Sequence, residues 1–272
     1  MMLEVRNLSF SYGNNRSNES KKVLNQLSWM VTKGELVAVV GPNGVGKSTL
    51  FKCILQILRT YEGEILLNGT SMRGMREFEI SRSLAYIPQT HVPVYGLSVL
   101  DVVLMGACRK SSIFANPDGT DAERAMLVLE RLGLESFARR NYGELSGGER
   151  QLVLIARSLA QGARILIMDE PAAHLDYGNQ VRIMEYLWSL SSEGYSIIFS
   201  THNPEHAFLW SSRTLVLYQG HLIADGDPKE ALTEGTMERL YGVPVRIFSL
   251  ENESNGRYQA CMPILRLREH KG

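Results

Sequence analysis

A chain that carries GPNGVGKST at positions 41–49, directly after the apolar run ELVAVV (35–40), has few folds open to it. The run fits the spacing G-x-x-x-x-G-K-[ST]. In that spacing glycines let backbone N–H groups close around phosphate oxygens, the lysine brings a positive charge, and the following hydroxyl can face Mg2+. The mechanism needs a buried strand before the loop and a helix after it. Both are predicted: ELVAVV is apolar without alternation, as strands covered on two faces are, and a helical pattern begins near Lys47. Gly41, Pro42, Asn43, Gly44, Val45, Gly46, Lys47, Ser48 and Thr49 are therefore assigned to nucleotide binding, with Ser48 also a candidate Mg2+ ligand.

Two further runs, RILIMD (164–169) and YSIIFST (195–201), read as strands of the same kind, and helical periodicity fills 121–132, 149–161 and 178–192. This alternation predicts an α/β nucleotide-binding core. Shorter strand-like pieces, LEVRNLSF, VLNQLSWMV and GEILLNG, predict a small antiparallel sheet beside it. Beyond 213 the chain reads as TLVLYQG, HLIADG, a helical PKEALTEGTMERLYG, then VRIFSL and YQACMPILRLR, an appendage to the same domain. The polar GNNRSNESKK (13–22) predicts a surface loop. Met105 and Trp188, at helical spacing with other apolar residues, are expected in the core.

Composition excludes several classes. The 29 basic and 29 acidic residues cancel, which is not the electrostatic footprint of a nucleic-acid binder. Cys53, Cys108 and Cys261 are too few and too scattered for a disulfide framework or a zinc site, which suits a reducing compartment. Cys53, one helical turn beyond the phosphate loop, is expected to be open to thiol reagents. MMLEVRNLSF lacks a basic region followed by an apolar one, and no stretch approaches the length of a membrane span. Work at a membrane would rely on other chains.

ILIMDEP supplies the second half of a hydrolytic site. A strand ending in Asp169 can hold the Mg2+ shell, and the adjacent Glu170 is placed to orient and deprotonate an attacking water. LSGGERQLVLIARSLA (145–160) then raises a question, because a serine and paired glycines ahead of an apolar helix again read as an anion site. One chain has two such cradles.

The ordered set SFSYG with Tyr12, GPNGVGKST, AYIPQ with Gln89, LSGGE, ILIMDEP, HLD (174–176) and FSTH with His202 resembles the ATP-binding cassette family over almost the whole chain. The resemblance implies a P-loop NTPase core with a small antiparallel β subdomain and an inserted α-helical signature subdomain. It implies one domain over 1–272, with the core and β subdomain at about 1–88 and 162–225, signature helices at about 89–161, and an appendage from about 226. It also implies ATP and Mg2+ as cofactors, Tyr12 stacking on adenine, and Gln89 beside Glu170 and His202 in the catalytic set. Gln89 would in addition join Ser48 and Asp169 around Mg2+. Leu145, Ser146, Gly147, Gly148 and Glu149 would cap the ATP held by a second copy of the chain, which answers the question of the two cradles. Asp176 would lie in the loop that follows the catalytic glutamate.

HNPEH also offers His202 and His206 at a spacing that could bind a metal on a helix. Pro204 suits a first helical turn, so His202 is expected to precede the helix as the switch histidine, with His206 a bystander. The apolar stretch QTHVPVYGLSVLDVVLMGACRKSSIF after Gln89 reads as a docking surface, and the resemblance implies that it receives a polytopic membrane permease dimer, at the cytoplasmic face of the membrane, fed by an extracytoplasmic substrate-binding protein and without nucleic acid. VLDVVLMG, HLDYGNQ and LYGVPVRIF are similar to importers of metal chelates: siderophores, haem, cobalamin, or molybdate and tungstate. An exporter subunit and a soluble cassette ATPase stay open as alternatives. A ribosome-acting relative would usually carry two cassettes, and a chromosome-organising one a long heptad segment.

Overall fold

The computed structural model describes residues 2–13, 22–89, 96–107, 119–252 and 256–264. The expected polar loop at 13–22 therefore lies outside the described residues except at its two ends, as do parts of the stretch expected to meet a permease. The chain starts with β1 (Leu3–Ser11), β2 (Lys22–Val31), β3 (Leu36–Val40), α1 (Lys47–Ile54), β4 (Glu62–Leu67), β5 (Thr70–Ser71), α2 (Glu77–Ser81) and β6 (Leu84–Ile87). Then come α3 (Val99–Ala107), α4 (Gly119–Arg131), α5 (Gly147–Ala160), β7 (Ile165–Met168), α6 (Tyr177–Ser192), β8 (Ser196–Thr201) and α7 (Pro204–Trp210). The last elements are β9 (Arg213–Tyr218), β10 (His221–Gly226), α8 (Pro228–Ala231), α9 (Glu234–Tyr241), β11 (Val245–Asn252) and β12 (Gly256–Pro263).

A six-stranded sheet of order β10-β9-β3-β8-β7-β6 is parallel except at β10, which turns back on β9. Its strands sort their side chains by the two-residue period of a pleated strand. Leu36, Ala38, Val40, Leu166, Met168, Ile197 and Phe199 face the helices, and Val37, Val39, Ile165, Ile167 and Ile198 face the other way. That second core is shared with α1 and with the antiparallel sheet β2-β1-β4-β5. Two covered faces explain why these strands read as unbroken apolar runs. The α/β class with an accessory antiparallel sheet is as expected.

Helices α3, α4 and α5 pack on one another, and α5 also packs on α6. Two expectations fail here. Met105 on α3 is 52% exposed and Trp188 on α6 is 56% exposed. The buried arc of α3 is set by Val102, Val103, Gly106 and Ala107, and that of α6 by Met184, Leu187, Leu190 and Ser191, so both large residues fall outside it. The stretch predicted as one helix after 228 is two, α8 and α9. Leu232 leaves helical geometry and Thr233 restarts it by accepting from the N–H of Thr236 at 3.1 Å. The chain ends in the hairpin β11–β12, in register from Val245 opposite Pro263 to Asn252 opposite Gly256 and packed on α7 and α9.

Candidate functional site

Parallel neighbours deliver their C-terminal ends to one edge of a sheet, and ligands of open α/β sheets bind outside that edge. Here β3, β7 and β8 are adjacent, so the turn after each meets the others, and Gln89 arrives from the end of β6. A cleft of about 360 Å³ results, lined by Tyr12, Asn43, Gly44, Gly46, Lys47, Ser48, Thr49, Gln89, Asp169 and Glu170, with Val23.

The floor of the cleft is the turn before α1. Its capping residue, Gly46, has φ 113°, and no side chain caps the helix. A Cβ at Gly46 would sit 3.1 Å from the carbonyl of Val23, so both the backbone sign and the space require glycine. The first-turn N–H groups of α1 thus point outward with no capping oxygen on them, which is the arrangement that receives an anion. Lys47, buried, turns its ammonium back to the carbonyls of Gly41 at 2.6 Å and Pro42 at 3.2 Å. Burial pulls its pKa below the usual lysine range, opposed by the charges of Glu170 and Asp169.

Glu170 gathers the other groups. Its carboxylate lies 3.8 Å from the Lys47 ammonium, accepts from Gln89 Nε2 at 3.3 Å, and sits 3.0 Å from His202 Nδ1. A carboxylate this buried is held by partners rather than by water. Its backbone is left-handed, with φ 48°, a conformation that costs a non-glycine residue about 1–3 kcal/mol. Ser200 maintains it: the hydroxyl accepts from the N–H of Glu170 at 2.9 Å and donates to Asp169 Oδ1 at 2.5 Å. Burial, and then the charge of nearby Asp169, push the Tyr86 hydroxyl up to about 12. Tyr12 overhangs the cleft half-exposed, its hydroxyl 3.1 Å from Thr49 Oγ1 and its ring edge-on to Phe10 at 4.9 Å.

The second glycine-rich turn is elsewhere. None of Leu145, Ser146, Gly147, Gly148 and Glu149 lines the cleft around Lys47. Ser146 caps α5 and forms a reciprocal box with Glu149: its hydroxyl accepts from the Glu149 N–H at 3.3 Å, and the Glu149 carboxylate accepts from the Ser146 N–H at 2.7 Å. Hydrogen bonds from the Ser146 side chain, and then from its main chain, hold the Glu149 carboxyl below the usual range. Gly147 is exposed, and Gly148 packs so closely on Asn179 that a Cβ would come within 2.7 Å of its side chain. Asp176 caps α6, accepting from the N–H of Asn179 at 2.8 Å and from its side chain at 2.7 Å.

The family described as ABC transporter matches residues 24–173. A probable iron chelatin transport ATP-binding protein of Helicobacter pylori is 34% identical over 255 residues, covering 93% of this chain and 98% of that protein. This chain belongs to the ABC transporter family. The iron(3+)-hydroxamate import ATP-binding protein of Bacillus subtilis is 32% identical over 246 residues, 90% of this chain and 89% of that one. Among solved structures, a metal-chelate type ABC transporter in an inward-facing conformation aligns with TM-score 0.84 and 31% identity, over 97% of this chain and 98% of that chain. The protein is thus an ABC ATPase with the mixed α/β fold of that family. Among the described residues no helix is long and apolar enough to cross a membrane.

Several neighbours of this ABC site were not singled out by the sequence reading. Ser200 is one of them: the parallel pairing of Met168 with Phe199 puts the next residues, Asp169 and Ser200, side by side, which only the folded chain shows. His202 does precede α7, which begins at Pro204 with Asn203 as its cap. His206, expected as a bystander, forms part of the wall of the hollow beyond Glu170. Its Nδ1 lies 3.3 Å from Thr201 Oγ1, and its pKa is lowered by burial and then by His202. The two rings meet different partners, His202 the Glu170 carboxylate and His206 the Thr201 hydroxyl. Cys53 is fully buried and its thiol is pushed up to about 12 by burial, contrary to the expected reactivity.

Proposed function

We propose that this chain is the ATP-hydrolysing subunit of an importer of metal chelates, working as two copies beneath a polytopic permease at the cytoplasmic face of the membrane. An extracytoplasmic binding protein would hand over the cargo. Near full-length similarity to iron-chelate transport proteins supports the cargo class. The chemistry rests on one observation: the buried carboxylate of Glu170 shares a cleft with buried Lys47 and is contacted by both Gln89 and His202.

In this reading the N–H groups of 44–49 and the Lys47 ammonium hold the phosphates, and Tyr12 offers a ring face to adenine. Glu170 takes a proton from the attacking water, Gln89 and His202 orient that carboxylate, and Asp169, fixed by Ser200, keeps its place beside it. Ser48, Asp169 and Gln89 form an oxygen donor set in the same cleft, the chemistry a hard divalent cation takes. When bound there, Mg2+ would neutralise charge on the phosphate oxygens. Leu145–Glu149 and Asp176 would face the nucleotide of the second copy. One cassette over 1–272, with signature helices at about 89–161 and an appendage from about 226, is the organisation that accompanies this reading.

The test replaces the chromosomal gene with a Lys47→Ala allele in the native host and follows uptake of a radiolabelled ferric siderophore. Uptake should be lost and return with the wild-type allele on a plasmid. Unchanged uptake of ferric siderophores, haem, cobalamin, molybdate and tungstate alike would contradict the cargo class.

A further inference from the structure

The His202 ring is about half exposed, at 53% of its side-chain surface, so packing alone does not fix where it points. Its position depends on the bond to Glu170 and on the direction of its own main chain, which spans the short gap between β8 and α7. On one side the gap is tied locally, where Thr201 Oγ1 accepts from the N–H of Asn203 at 3.0 Å. The other restraint comes from 39 residues further along the chain: the Tyr241 hydroxyl donates to the carbonyl of His202 at 2.9 Å.

Tyr241 is the last residue of α9, and the unit it belongs to is well anchored. Glu234, in the first turn of α9, accepts from the N–H of Ile247 on β11 at 3.0 Å, and Ile264 donates to the carbonyl of Pro244 at 2.9 Å. Strand β12 packs on α7, the helix that His202 leads into. Burial pushes the Tyr241 phenol up to about 12, so it remains a neutral donor throughout the physiological range.

We infer that Tyr241 is a positioning residue for ATP hydrolysis, through which the α9–β11–β12 unit sets the main chain of His202 and thereby the ring that contacts Glu170. This inference rests on the roles proposed above for Glu170 and His202. It gives the C-terminal appendage a part in turnover, although it contributes no group to the reacting atoms.

The test is a double-mutant cycle on the full-length chain with MgATP, using Tyr241→Phe, His202→Ala and the pair. Tyr241→Phe keeps the ring and removes only the donor. It should lower kcat by about 3- to 10-fold, the range of one hydrogen bond, with KM and equilibrium ATP affinity unchanged. In the His202→Ala background it should have no further effect. A wild-type kcat for Tyr241→Phe, a parallel loss of ATP affinity, or additivity in the double variant would overturn the inference. His202→Ala and Glu170→Gln at the wild-type rate would instead overturn the site reading beneath it.

Discussion

At the head of α1 the capping position is Gly46, left-handed and with no side-chain oxygen on the helix; at the head of α5 it is Ser146, locked in a reciprocal box with Glu149. Both turns are rich in glycine and both lead into a helix, yet they treat the first-turn donors differently. The first leaves them open and brings a buried ammonium beside them. The second satisfies part of its own need, and the N–H groups of Gly147 and Gly148 are among the donors that no intrahelical carbonyl reaches. The difference separates their tasks. In the function proposed above, the turn at 41–49 holds the polyphosphate with Lys47 beside it, while the turn at 145–149 is capped by its own serine, lies outside that cleft and adds donors to a phosphate held by the other copy.

The largest effect expected on either side of this comparison is chemical. Glu170→Gln keeps shape and hydrogen bonding but removes the base, so phosphate release should fall by roughly 10²- to 10⁴-fold while equilibrium binding still shows ATP at the first turn. Loss of binding together with turnover would mean that Glu170 builds the cradle rather than serving the reaction in it.

Smaller effects sharpen the contrast between the caps. Ser146→Ala should cost about 1 kcal/mol of stability in thermal unfolding without nucleotide, a shift of about 2 to 4 °C, because α5 loses an oxygen that α1 never had. An unshifted transition would deny that Ser146 serves its own helix. Tyr12→Ala should weaken ATP binding by about 0.5–1.5 kcal/mol, measured by titration, since it removes a stacking face and leaves Lys47 and the loop intact. The smallest effect is in pH. The folded Glu149 carboxyl is held below its usual value, so its stabilising share is complete above the unfolded value and fades as pH falls through the folded one. Glu149→Gln should therefore flatten the acid limb of the melting profile and leave the neutral region parallel to wild type.

Strands β3, β7 and β8 were legible in the sequence because burial on both faces writes itself as unbroken apolar runs, and the glycine turns because their spacing has a mechanism. Met105 and Trp188 were misread since periodicity states which residues share a face but not how wide the buried arc is. Ser200 and Tyr241 were illegible for another reason. Their contacts to Asp169 and His202 depend on which strand ends lie side by side and on where a distant helix stops, neither of which local pattern encodes. The Ser146–Glu149 box is written plainly in SGGE, a serine and a glutamate at the spacing that a reciprocal cap needs.

The central claim, that the two turns complete one site only across two copies of the chain, can be tested by placing cysteines at Asn43 and Ser146 in the Glu170→Gln background. Both positions are exposed. Cys108 and Cys261 are replaced, and Cys53, fully buried with its thiol at about 12, can stay and keep its core filled. After treatment with a short bis-thiol reagent, a non-reducing gel should show a covalent dimer that forms only when MgATP is present. A link confined to monomers, or a dimer that forms equally without ATP, would contradict the claim.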